Sequence, residues 1–419
     1  MLQTVTTRDA RLIITARGIR QCAYGQLAVV LAVALSRDGF SPFAIGALVT
    51  VSLLGDMFGT IIIGRYADSW GRRRTLMLLA LLMALTGLVF CFSTWYPLLL
   101  IAAFFGTLGT TASETAPFLP LEQAMLPQTI PETNRTAVFA WYNLVASGAG
   151  AIGGLVATLP DAVGRLGISQ GVGIKISFLL YTVFALVVIR IVQSLSPSVE
   201  SPPMQRPQPS KSWWSSLIPP LGQSRTLILT LSALFSVDAL AGGLVSQTLL
   251  ALFFHLRFGV SLTQLGLLFF GANLLSALSF LGAAPLARRF GLLNTMVFTH
   301  LPSNVFLLII AFMPTFPLAA LFLFLRQLLS QMDVPTRQAY TMALVAPEER
   351  TASASITSLA RSTGSASSPL ITGALLQGSA GWIGAPFLLA GGIKVIYDLA
   401  LWRLFSGVPL PQSKEPQQP

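Results

Sequence analysis

Gly64 to Arg74 reads GRYADSWGRRR. Two glycines bracket a short polar stretch, and three consecutive arginines follow it. Gly64 and Gly71 permit a tight turn. Asp68 is placed to accept charge-assisted hydrogen bonds from Arg72 or from a nearby helix N-terminus. Arg72, Arg73 and Arg74 form a cluster suited to anionic lipid headgroups. On either side lie apolar runs, approximately 41–63 and 75–94, each long enough to cross a bilayer as a helix. A basic turn between two such runs reads as a loop at a membrane surface.

The rest of the chain extends that reading. Of its 419 residues 53% are hydrophobic and 10% charged, and the mean hydropathy is +0.72. A soluble domain carries about 25% charged residues, so a soluble fold of this composition would expose one continuous apolar surface. Ten further apolar runs lie at about 14–35, 97–119, 136–159, 173–193, 226–254, 262–286, 292–313, 317–344, 352–376 and 384–405. Twelve transmembrane helices are therefore expected, in an all-α integral membrane protein without a cleaved signal. The net charge of +11 would suggest nucleic acid in a soluble chain. Here the basic residues sit in short loops, and no nucleic-acid partner is expected.

Between the sixth and seventh runs lies one long hydrophilic stretch, rich in Pro and Ser, that includes SPSVESPPMQRPQPSKSWW. Proline cannot continue a helix, so this is a linker, and its Trp213 and Trp214 are expected to anchor at the membrane interface. The expected organisation is a six-helix bundle over 1–193, a cytoplasmic linker over 194–225, a second bundle over 226–405 and a cytoplasmic tail over 406–419. Loops after even-numbered runs carry Arg65, Arg72, Arg73, Arg74, Arg135, Arg206, Lys211, Arg225, Arg288, Arg289 and Arg350. Loops after odd-numbered runs carry little beyond Arg37, Arg165 and Arg257. That asymmetry places both termini in the cytoplasm of a cell (inner or plasma) membrane protein.

The two halves repeat at an offset of about 215 to 220 residues. EQAML (Glu122–Leu126) followed by PETNRTA (Pro131–Ala137) corresponds to RQAYTMAL (Arg337–Leu344) followed by PEERTA (Pro347–Ala352). Pro117 matches Pro335, Glu114 matches Asp333 within a residue, and YADSWG (Tyr66–Gly71) matches LARRFG (Leu286–Gly291). A duplicated six-span unit places a pseudo-symmetric interface at mid-membrane, where transporters bind their solutes.

GRYADSWGRRR in the loop between the second and third runs resembles the signature of the major facilitator superfamily, with Tyr66 where Leu is common. The resemblance covers essentially the whole chain. It implies two pseudo-symmetric six-helix bundles, and it assigns Gly64, Asp68, Gly71 and Arg72 to a conformational-switch loop. ASGAGAIGG (Ala146–Gly154) is similar to the glycine-rich motif of the drug–proton antiporter branch, with Ala149–Gly150 where that motif has Gly-Pro. Its physical content is close helix packing through small residues. That branch also carries an arginine in its fourth span, and nothing basic lies between Leu98 and Leu121 here.

Ionisable residues at membrane depth cost at least about 2.5–3.5 kcal/mol each at a helix centre, so they face a partner or a watery cavity. The candidates for proton coupling or for the solute cavity are Asp238, Glu114, Asp56, Asp333, Arg326 and Arg361. Glu114 and Arg326 occupy corresponding spans of the two halves and are expected to act together. Arg326 and Asp333, seven apart, fall on one helix face, and Asp333 stands where a break before Pro335 is expected. Asp238 precedes Gly242 and Gly243, which loosen the seventh span. Lys394 sits inside the last span. Arg17 and Arg20 are expected to snorkel to the headgroups, and His255 and His300 to be isolated structural residues.

No P-loop, GxGxxG after a strand, HExxH or Cys/His cluster is present, so neither catalysis, a cofactor nor a metal is expected. Cys22 and Cys91 lie in apolar stretches and suggest no disulfide. The expected function is alternating-access transport by a monomer, driven by protonation of a cavity carboxylate, with efflux of small amphipathic organic compounds as the leading reading. Uptake or exchange of an organic anion or nutrient, held by Arg326 or Arg361, is the alternative. A non-transporting membrane sensor on the same scaffold is a third.

Overall fold

The computed structural model describes residues 7–110, 117–130, 135–200, 225–345, 349–378 and 383–408. Trp213, Trp214 and Glu114 lie outside them. The first half contains α1 (Arg8–Arg37), α2 (Pro42–Trp70), α3 (Arg72–Phe92), α4 (Tyr96–Phe105), α5 (Phe118–Met125), α6 (Arg135–Val156), the short α7 (Leu159–Arg165) and α8 (Gln170–Gln193). The second contains α9 (Arg225–Leu244), α10 (Gln247–Phe258), α11 (Leu262–Phe290), α12 (Leu292–Ile310), α13 (Phe316–Ser330), α14 (Asp333–Leu344), α15 (Arg350–Gly378) and α16 (Ala385–Phe405).

Among the described residues nine helices are long and apolar enough to cross a membrane, with α9 and α10 counted as one. The other three expected spans fall short for local reasons. In the fourth, only α4 and α5 are described as helix. The tenth is divided at Gln331–Met332 into α13 and α14, and the eleventh, α15, is rich in Ser and Thr. The division of the tenth span corrects the single face expected for Arg326 and Asp333. Asp333 instead opens the second segment, the acidic first-turn position that a helix dipole favours.

Pseudo-symmetry is visible at the helix ends. α2 and α11 each run 29 residues, each begins after a serine whose hydroxyl caps the first turn (Ser41 on the Ala44 amide, Ser261 on that of Gln264), and each stops at a glycine. Gly71 and Gly291 have φ of 94° and 84°, values that L-residues rarely adopt. Gly64, by contrast, lies inside α2. The turn therefore rests on Gly71 alone, because nothing before it stops the helix.

Where membrane helices break, side chains take up the freed carbonyls, as the absence of water requires. Beside the break between α9 and α10, Ser368 Oγ donates to the Leu240 carbonyl at 2.6 Å and Thr372 Oγ1 to that of Leu244 at 2.7 Å. After α4, Tyr181 Oη donates to the Thr107 carbonyl at 2.5 Å, and Tyr24 Oη to Thr107 Oγ1 at 3.0 Å. The glycine-rich run in α6 is a packing surface, since a Cβ on Gly153 would lie 2.2 Å from the Cys22 carbonyl of α1.

The halves meet along α2 with α15, α6 with α11, and α1 with α10. Two glycine pairs form this seam: Gly46 against Gly373, and Gly154 against Gly266. Hydrogen bonds across it join Phe43 to Gln377, Leu370 to Thr50, Thr263 to Asp161 and Thr248 to Thr110. All lie toward the end that carries the α1–α2 and α10–α11 turns, here called the loop end. The Thr363–Met57 contact at 3.8 Å is the last step of the seam toward the opposite, terminal end. Past it, no hydrogen bond joins the halves among the described residues.

Candidate functional site

Each half buries a cluster of charges. In the first, Arg20 of α1 holds Glu122 of α5 in a bidentate pair, with Nη1–Oε1 at 2.6 Å and Nη2–Oε2 at 2.9 Å. Tyr142 of α6 donates its hydroxyl to Glu122 Oε2 at 2.8 Å. The Arg17 guanidinium lies 3.7 Å from the Tyr142 ring centroid and 3.9 Å from Glu122 Oε2. Arg17 and Arg20 are 1% and 2% exposed, which corrects the expectation that they snorkel. A buried carboxylate and two aromatic faces, Tyr142 and Phe118, compete successfully with the headgroups for both guanidinium groups.

In the second half Asp238 of α9 is a hub. Lys394 Nζ of α16 is 2.5 Å away, Arg361 Nη1 of α15 is at 3.2 Å, Arg337 Nη1 of α14 at 3.5 Å and His300 Nε2 of α12 at 4.0 Å. Arg337 is shared with Asp333 at 2.7 Å. His300 Nδ1 also meets Asp398 at 2.8 Å, and Asn304 donates to the other oxygen of that carboxylate at 2.8 Å. His300 is thus part of the cluster rather than isolated. His255 Nδ1 meets the Val260 carbonyl at 2.9 Å.

The two clusters are related with their signs exchanged. Glu122 and Arg337 occupy matching positions of the repeat, as do Arg20 and Asp238 within a few residues. The contact between the first and fourth spans is therefore Arg–Glu in one half, and that between the seventh and tenth is Asp–Arg in the other. Sequence reasoning passed over Glu122, Arg337, Lys394 and Asp398 as site residues. The repeat alignment already paired Glu122 with Arg337, and inverted charge at a matched position was the available signal.

Two candidates stand apart from these clusters. Arg326 of α13 is bonded through Nη1 to Gln327 at 2.8 Å and its Nε is buried without a partner. No carboxylate lies within 4.0 Å of it among the described residues, and its expected partner Glu114 lies outside them. Asp56 of α2 is buried and has no cation within that distance among the described residues. Its backbone adjoins Met57, at the seam between the halves.

The turn at Gly71 has the expected Asp68–Arg72 bond, at 2.7 Å, and an unexpected one. Glu200 accepts from the backbone amides of Arg72 at 2.6 Å and Arg73 at 3.2 Å. It caps α3, whose own N-cap, Gly71, has no side chain to do so. Ser196 and Ser198 meet the carboxylate of Asp9 at the start of α1, and Val199 is fully buried. Residues 194–200 thus belong to the first bundle, which corrects the linker boundary expected at 194. Replacing Glu200 by alanine should cost about 1 kcal/mol locally. Amide hydrogen exchange at Arg72 and Arg73 should quicken severalfold; unchanged exchange would deny the cap.

The sequence profile of the Major Facilitator Superfamily matches residues 15–325 and 239–419. The chain belongs to the Major Facilitator Superfamily. It is 28% identical over 427 residues to the uncharacterized membrane protein YJR124C of Saccharomyces cerevisiae, covering 96% of this chain and 95% of the yeast protein. It superposes on the nucleoside transporter NupG with a TM-score of 0.73 at 14% identity, covering 95% and 99% of the two chains. On the xylose transporter XylE from E. coli, in an inward-open conformation, the TM-score is 0.72 at 13% identity, covering 97% and 98%. These likenesses establish the twelve-helix, two-bundle fold. As a superfamily member, the protein is an integral membrane transporter of small molecules, of the alternating-access type.

Proposed function

We propose that this superfamily member carries a small amphipathic organic anion together with a proton, Arg326 binding the anion and Asp56 the proton. The carrying observation is the contrast among the buried and half-buried charges. Arg17, Arg20, Arg337, Arg361 and Lys394 each have a carboxylate within 4.0 Å, whereas Arg326 has none among the described residues. An arginine at membrane depth without a carboxylate at contact distance costs up to about 2.5–3.5 kcal/mol, and Asp238 and Asp333 act on Arg326 only from longer range. A carboxylate or phosphate on the solute relieves that cost through a geometry the guanidinium matches. Asp56 presents the complementary case in the first half. Neutralising both at once removes the penalty for enclosing them, which couples the two ligands and makes transport electroneutral.

This reading takes the organic-anion alternative over efflux of small amphipathic organic compounds, and both termini are proposed to lie in the cytoplasm. A panel of aromatic and aliphatic monocarboxylates screened for thermal stabilisation of the purified protein would supply a probe. In proteoliposomes, Arg326→Gln should abolish uptake of that carboxylate, and Asp56→Asn should leave exchange but remove the dependence on a pH gradient. Unchanged coupled uptake in both variants rejects the assignment. Expression-dependent tolerance to cationic amphipathic compounds in an efflux-deficient host would favour export instead.

A further inference from the structure

We propose that a groove on the outer face, between α1 and α8, is a binding site for an anionic glycerophospholipid. The groove encloses about 380 Å³ and is lined by Leu12, Val183, Leu186, Val187, Arg190 and Ser194, among others. Its floor is aliphatic and faces the bilayer, so an acyl chain fills it. Its polar end is set by Arg190, one turn beyond Leu186 and Val187 on α8. The Arg190 side chain is exposed, and its guanidinium has one long hydrogen bond, 3.4 Å to Gln193 Oε1.

Charge complementarity identifies the headgroup. α1 enters the membrane at the same end, and its first turn carries exposed Arg8 and Arg11. The acid of that turn, Asp9, is turned inward onto Ser196 and Ser198, so it does not offset them. Arg190 therefore lines the end of an apolar groove, and Arg8 and Arg11, on the turn of α1 that leads to Leu12, add positive charge at the same end, a setting for a lipid with net negative charge. An arginine in the last turn of α8 also suits the helix dipole, but the dipole does not require it to line a groove. Ser194 closes the groove and opens the segment that carries Glu200 onto α3. The lipid thus sits against the root of the chain that joins the two halves.

Native mass spectrometry of the full-length protein released from mixed phosphatidylglycerol and phosphatidylcholine nanodiscs tests this. Wild type should retain phosphatidylglycerol about fivefold over phosphatidylcholine, the effect of one surface arginine on an anionic lipid. Arg190→Gln should abolish that preference, and Arg190→Lys should keep most of it. Val183→Trp, which fills the groove and leaves Arg190 in place, should lose both retained lipids. Equal retention of the two lipids by wild type would mean annular lipid only and overturn the proposal. So would a preference that survives Arg190→Gln, or one that millimolar inorganic phosphate removes as effectively as it is removed by that substitution.

Discussion

Asp238→Asn should destabilise the second bundle by about 3–5 kcal/mol, the usual consequence of removing one member of a buried ion pair. The carboxylate it deletes faces Lys394, Arg361, Arg337 and His300, supplied by four different helices. An amide leaves Lys394, Arg361 and Arg337 facing one another without it. Arg337 keeps Asp333 at 2.7 Å. Lys394 is left without a carboxylate at hydrogen-bonding distance, so it carries the larger part of the penalty. Lys394→Met in the Asp238→Asn background should therefore recover part of the loss, and a double-mutant cycle should give a coupling of at least about 1 kcal/mol. Apparent unfolding temperatures in detergent provide the measurement. A loss no greater than about 0.5 kcal/mol, the size of a surface substitution, would show that Asp238 does not organise the cluster.

Leucine at Gly46 or Gly266 should force the seam open at the loop end. A Cβ on Gly46 would lie 2.3 Å from the Pro369 carbonyl oxygen, and one on Gly266 would lie 2.5 Å from that of Gly154. Both obstacles are backbone, which cannot rotate away. Overpacking of this kind costs about 1–3 kcal/mol, enough to invert an equilibrium between two states that differ by a few kcal/mol. The expected result is a protein that folds but populates the state open at the loop end, with transport reduced at least about tenfold. Labelling of a cysteine placed at Thr50, on the seam, should accelerate in both variants. Unaltered labelling with normal transport would show that the glycine pairs do not hold the halves together.

Much of this architecture was legible in the sequence because membrane helices are set by local composition. Run length located the spans, although the second and eighth helices continue past the expected ends at 63 and 286, to Trp70 and Phe290. The repeat anticipated the paired turns at Gly71 and Gly291. Packing of the glycine-rich run against α1 followed from its small residues. The charge clusters were less accessible, because a pair such as Arg20–Glu122 joins residues a hundred positions apart and no periodicity connects them. An arginine three residues from another near a helix start reads equally well as a snorkelling anchor. The docking of Glu200 was hidden for a similar reason. Its acceptors are two backbone amides of α3, and a proline-rich segment gives no sign that its first residues fold back.

The rocking of two half-molecules about a shared seam is best tested with spin labels at both ends. With Cys22 and Cys91 replaced by alanine, one pair is placed at Ser69 and Arg289 on the terminal end. A second pair is placed at Asp38 and Leu256 on the loop end. Pulsed dipolar distances are recorded in nanodiscs, first at high pH and then at low pH with a stabilising carboxylate. The first distance should shorten as the second lengthens. If both change in the same direction, or if only one end moves, the halves do not alternate and the account fails.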